Sequence, residues 1–136
     1  MARPRHKHPT PAELEVLKIL WDRGPSTVRG VLGVFAATGH RRAYTTVMSL
    51  MNVMVEKSLL RRRRRGRAFL YEARLPQEKT LRTMVGDLWE RAFEGSTELL
   101  LSRLLEQANP SPQELDEIRR VIDDYRNQTA GREERK

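Results

Sequence analysis

A chain of 136 residues with a net charge of +8, 38% hydrophobic and 32% charged, is sized for one soluble domain, or a small domain with an appendage. It has no cysteine, which excludes disulfides, zinc fingers and thiol catalysis and fits a reducing compartment. No apolar run approaches the ~20 residues of a bilayer span, and the opening MARPRHKHP leads into no hydrophobic signal core, so the expected location is the cytoplasm.

The charge is unevenly placed. Residues 1–75 hold 16 Lys/Arg against 5 Asp/Glu, and residues 76–136 hold 10 against 13. A basic front half suits a polyanion, and the mildly acidic back half suits a different partner.

Residues 1–9 read as a flexible basic arm without periodicity. The stretch Thr10-Pro11-Ala12-Glu13 then predicts a helix start, with a capping threonine, proline at the first position and glutamate three residues after the cap. Leu14, Leu17 and Trp21 follow at helical spacing until Gly24-Pro25 stops the helix. Ser26 is the expected cap of a second helix, on which Val28, Val31, Leu32 and Phe35 form the apolar face. After a turn at Thr38-Gly39-His40, a third helix is expected over about residues 43–57, with Val47, Leu50, Met51 and Met54 inward.

The other side of that third helix carries Thr45, Thr46, Ser49 and Asn52. It is polar but almost uncharged. A solvated face would carry Glu and Lys, so this one reads as a contact surface. Short polar side chains and methyl groups are what base edges in a major groove accept, and Met48 can meet a thymine methyl.

Five consecutive arginines follow. Residues 60–65, a turn at Gly66-Arg67 and residues 68–72 alternate as a two-stranded hairpin, with Phe69 and Tyr71 on one face and Leu70 on the other. A lone hairpin is marginal in water, so it must pack on the helices before it. Three short helices and such a hairpin make a winged helix-turn-helix with the arginines in the wing. Guanidinium groups pair with phosphate oxygens bidentately. Alternation puts Arg61, Arg63 and Arg65 on one face and Arg62 and Arg64 on the other, so about half meet a DNA backbone at once. The candidate DNA contacts are Arg42, Tyr44, Thr45, Thr46, Met48, Ser49, Asn52, Arg61, Arg63, Arg65 and Arg67.

Pro76 breaks the chain. Leu81, Met84, Val85 and Leu88 mark a helix ending near Phe93 and Gly95, and Ser96 caps another that holds Leu99, Leu100, Leu101, Leu104 and Leu105. Ser111-Pro112-Gln113-Glu114 repeats the capping box and opens a third with Leu115, Ile118, Ile122 and Tyr125. Three helices in some 60 residues close only a small core, so this much leucine implies a partner, most simply a second copy of the chain. Expected dimer contacts are Leu81, Val85, Leu88, Leu100, Leu101, Leu104, Leu105, Leu115, Ile118 and Ile122. The expected organisation is an arm (1–9), a winged-helix DNA-binding domain (10–75), a helical dimerisation domain (76–127) and a disordered charged tail (128–136). The fold class is thus mostly α with a small β-hairpin wing.

Catalysis has little to stand on, because no phosphate-cradling glycine loop and no isolated acid–base pair is visible. His6 and His8 flank a lysine without a third ligand, so no metal and no cofactor is expected. Trp21 and Trp89 sit among aliphatics as packing residues.

The segments PAELEVLKILWDRGPSTVRGVL and RAYTTVMSLMNVMVEKSLLRRRRRGRAFLYEA resemble the penicillinase-repressor family of bacterial transcriptional regulators. The most specific parts are G-P-x-T-V-R at Gly24 to Arg29, A-Y-T-T-V at Ala43 to Val47 and G-R-A-x-x-Y at Gly66 to Tyr71. The resemblance implies a homodimeric repressor on a palindromic double-stranded DNA operator, controlling an antibiotic-response or related operon. It also implies a membrane sensor protease as an indirect partner, since the best-known members are cleaved at an Asn-Phe bond in a C-terminal helix. This chain departs from them, with Arg103-Leu104 at the corresponding place. Copper-responsive relatives carry a C-terminal cysteine cluster, which this chain lacks. The alternative from another class is a structural or adaptor protein that binds RNA, DNA or anionic membrane without sequence choice.

Overall fold

In the computed structural model, which describes residues 8–134, the elements run α1 (Pro11–Arg23), α2 (Val28–Ala37), α3 (Tyr44–Glu56), β1 (Leu60–Arg65), β2 (Ala68–Ala73), α4 (Gln77–Asp87), α5 (Thr97–Ala108) and α6 (Pro112–Glu134). A π-helical turn, Leu88–Ala92, continues α4. The architecture is mostly helical with one antiparallel hairpin, as the sequence pattern predicts. Most of the expected basic arm, with His6, lies outside the described residues.

The described residues form two compact units divided between Leu88 and Trp89. In the first unit, α1 opens with the complete capping box. The Thr10 hydroxyl accepts from the Glu13 N–H, and the Glu13 carboxylate accepts from the Thr10 N–H at 2.8 Å. Gly24, at φ +83°, ends the helix in a conformation that side chains resist, and its N–H donates to the Leu20 carbonyl. Helix α2 is capped by Thr27 and not by Ser26 as expected. Ser26 instead exchanges two backbone hydrogen bonds with Tyr71, at 3.0 and 2.8 Å, and so adds a one-residue bridge to the outer edge of β2. Two adjacent capping residues cannot be ranked from sequence when a distant strand claims one of them.

The core forms where α1, α2, α3 and the root of the hairpin meet: Val16, Leu17, Leu20, Val28, Val31, Phe35, Val47, Met51, Met54, Leu60 and Tyr71 are all buried there. The hairpin pairs Leu60 with Ala73, Arg62 with Tyr71 and Arg64 with Phe69. Its two-residue loop has positive φ only at Gly66, the pattern of a type II′ turn, which suits the strand twist. Leu60 and Tyr71 on the helix-facing side anchor the wing. The expected alternation holds, with Phe69 and Tyr71 on one face and Leu70 on the other, and Leu70 is buried as well. Beyond Pro76, α4 belongs to this first unit, about twelve residues past the boundary that the proline suggests.

In the second unit, the Trp89 indole donates to the Thr97 hydroxyl at 3.1 Å, and two left-handed residues, Glu94 and Gly95, turn the chain into α5. Ser96 caps α5 and Ser111 caps α6 through the Leu99 and Glu114 N–H groups. No side chain of α5 is buried. Helix α6 continues to Glu134, where a disordered tail from residue 128 was the expectation. Residues 126–134 contain no proline and only one glycine, Gly131, so nothing in their chemistry stops a helix already nucleated at Ser111.

Candidate nucleic-acid interface

Around the axis of α3, the side chains sort into three sectors, as a 3.6-residue repeat requires. Val47, Met51 and Met54 point into the core and are fully buried. Tyr44, Met48 and Asn52, at i, i+4 and i+8, face the hairpin. Thr45, Thr46 and Ser49 lie away from the core and are exposed. No carboxylate interrupts α3 before Glu56.

Between α3 and the hairpin lies an open cleft of about 380 Å³, lined by Thr27, Val28, Arg29, Tyr44, Met48, Asn52, Arg62, Arg67, Ala68, Phe69 and Tyr71. Its walls pair cations with aromatic faces. The Arg29 guanidinium lies 5.6 Å from the centre of the Tyr44 ring, and that of Arg62 lies 4.7 Å from Phe69. Asn52 Oδ1 accepts from Arg62 Nη1 at 2.7 Å and from the Tyr71 hydroxyl at 2.8 Å.

Of the residues expected to touch DNA, the structure brings Tyr44, Met48, Asn52 and Arg67 to this cleft, with Thr45, Thr46 and Ser49 on the adjoining exposed sector. Arg61, Arg63 and Arg65 lie on the opposite face of the hairpin, where the Arg61 Nε approaches Glu72 at 3.5 Å. Arg42 turns inward. It donates to Glu15 at 2.6 Å and its guanidinium lies 4.8 Å over Phe35, so its charge joins the turn before α3 to α1 and α2. His40 is exposed in that turn. Sequence reasoning did not single out Arg29, Arg62 or Arg64. The hairpin register was the signal for the last two, because it seats them beside Phe69 and Tyr71.

A partly buried ion pair holds α3 from behind. Glu13, 1% exposed, accepts from Lys57 Nζ at 2.9 Å, where α3 ends. Burial pushes the Glu13 carboxyl up, but the Thr10 N–H and the Lys57 ammonium outweigh it and hold it below the usual carboxylate range. Among the described residues there is no cluster of three His, Cys, Asp or Glu able to hold a metal ion, and no helix long and apolar enough to cross a membrane. His8 pairs with Asp87 at 2.8 Å.

A family model for the penicillinase repressor matches residues 9–124. The chain belongs to the penicillinase repressor family. It is therefore a DNA-binding repressor. Among solved structures, the chain is similar to the DNA-binding domain of the repressor BlaI, determined in solution, at 22% identity and a TM-score of 0.47; the match covers 57% of this chain and 90% of that one. No curated protein matches the chain.

Proposed function

We propose that this repressor binds a palindromic operator as a homodimer, with α3 in the major groove, the arginine hairpin on the phosphate backbone and the helices after Pro76 holding two copies together. The observation that carries the reading is the exposed, carboxylate-free sector Thr45, Thr46 and Ser49 beside a hairpin with five arginines in one strand. A groove-reading helix needs short polar groups, while the wing supplies charge that is indifferent to sequence. Exposed leucines support the dimer. Leu81, Val85, Leu88, Leu104, Leu115 and Ile122 are each at least 39% exposed in a single chain, apolar surface that a second copy can cover.

Control of an antibiotic-response operon is the regulatory setting that fits this family. A sensor protease seeking an Asn-Phe bond meets Arg103-Leu104 in α5, where the Arg103 guanidinium is held by both Glu106 oxygens at 3.2 and 3.3 Å. A pocket shaped for a small neutral amide rejects a bulky cation. Release then runs through the exposed connection at residues 107–111 or through another signal, and terminal sequencing of fragments from β-lactam-treated cells distinguishes these from a cut at Arg103-Leu104.

Footprinting the purified protein on the DNA upstream of its own gene tests the central reading. A symmetric protected site that outcompetes shuffled DNA and RNA is the expected result. Equal affinity for all three would instead identify a polyanion binder without sequence choice.

A further inference from the structure

The two faces of the hairpin are not equivalent. On the outer face, Arg61 is shared with Glu72, and Arg63 stands opposite Leu70. On the inner face, Phe69 carries two guanidiniums, Arg62 at 4.7 Å and Arg64 at 6.0 Å from the ring centre, while remaining 39% exposed. Arg62 is also fixed from the helix side, because Asn52 Oδ1 accepts its Nη1 at 2.7 Å. Asn52 is fixed in turn by the hydroxyl of Tyr71, a residue only 2% exposed. The chain Tyr71–Asn52–Arg62–Phe69–Arg64 therefore runs from the core to the surface and ends in two cations gathered on one ring.

We propose that Arg62 and Arg64 make the wing's phosphate contacts, in preference to the outer-face arginines, and that Asn52 and Phe69 are positioning residues for them. This rests on the DNA-binding reading above and refines it. A guanidinium already held in place loses less rotamer freedom on meeting a phosphate than a free one. The Arg61 charge, by contrast, is partly cancelled by Glu72. Two like charges beside one ring repel each other, and a phosphate between them relieves that repulsion. For Asn52 the consequence is a change of role. Reading adenine needs its carbonyl and amide side by side on the base, and both lone pairs of that carbonyl are already taken.

The test is binding of the full-length chain across a salt series, on a duplex footprinted upstream of its own gene and on a shuffled duplex. Arg62→Ala and Arg64→Ala should each weaken both duplexes in the same proportion and lower the slope of log K against log salt by about one. Arg61→Ala and Arg63→Ala should change that slope by less than half as much. Asn52→Ala should leave the preference for the footprinted duplex unchanged and add nothing when combined with Arg62→Ala. Slope losses that reside in Arg61 and Arg63 would overturn the proposal, as would an Asn52→Ala loss of preference that persists in the Arg62→Ala background. Arg63 and Arg64 are both exposed, so that pair decides the matter even where Asn52→Ala fails to fold. A wild-type chain without salt-dependent affinity for either duplex would bring down the repressor reading itself.

Discussion

The two units bury their apolar residues very differently. In the first, Val16, Val31, Val47, Met51 and Met54 have no exposed surface, and three helices and both strands share one core. In the second, α5 buries nothing, and Leu99, Leu104, Leu115, Val121 and Ile122 stand in the open. Both halves have capped, amphipathic helices, so helix formation is not what separates them. The first unit folds three helix faces onto a hairpin root, whereas α5 and α6 present stripes that one chain leaves unfilled. Local helix signals are thus not evidence of a closed core. Surplus apolar surface on well-capped helices points to association.

The largest expected effect tests that contrast directly. Leu104 is 55% exposed in one chain, so Leu104→Asp should leave the helix intact but place an unpaired carboxylate in the proposed dimer interface, costing several kcal/mol of association. Sedimentation should then show monomers at micromolar concentration, with DNA affinity falling in step. Dimers that persist would show that this stripe is not the interface. In the first unit, Met51→Ala should cost about 2–5 kcal/mol. That loss should appear in denaturant titrations at every protein concentration, because the cavity lies within one chain.

A smaller effect is expected at the surface of α3. Thr46→Ala or Ser49→Ala should reduce discrimination between operator and random DNA by about 1–3 kcal/mol while leaving non-specific binding intact. Equal losses on both DNAs would place base reading on another element. The smallest concerns Glu13. Its depressed pKa means that the unfolded chain binds the proton more tightly, so the stabilisation is present above the ordinary value of 4.5 and is lost as pH falls through the lower folded value. Glu13→Gln should remove about 1 kcal/mol at neutral pH and flatten the acid limb of the stability curve, as thermal melts from pH 7 to pH 3 would show.

Much of the first unit was legible because its signals are local. Thr10-Pro11-Ala12-Glu13 caps α1 as read, the spacing of Val47, Met51 and Met54 marks the buried face of α3, and Gly66 sets the hairpin turn. What escaped depends on residues far apart in the chain. Ser26 is drawn to Tyr71, Arg42 to Glu15 and Phe35, and Asn52 to Arg62 and Tyr71. A polar side chain shows its type in the sequence but not its partner, and in a site crowded with donors and acceptors the partner decides what remains for DNA. The extent of α6 was missed for a different reason. Charge density suggests solvation, which a long exposed helix satisfies as well as a coil does.

The ion pair between Glu13 and Lys57 has a consequence for the speed of binding. It ties the first turn of α1 to the last residues of α3, and with the capping box it fixes the frame on which α3 is carried. A frame already fixed in the free chain removes one ordering step from association, and the net charge of +8 accelerates the encounter with a polyanion. Association should therefore approach about 10⁸ M⁻¹s⁻¹ at low ionic strength and slow steeply as salt is added. Differences between good and poor operators should then reside almost wholly in how long the complex lasts.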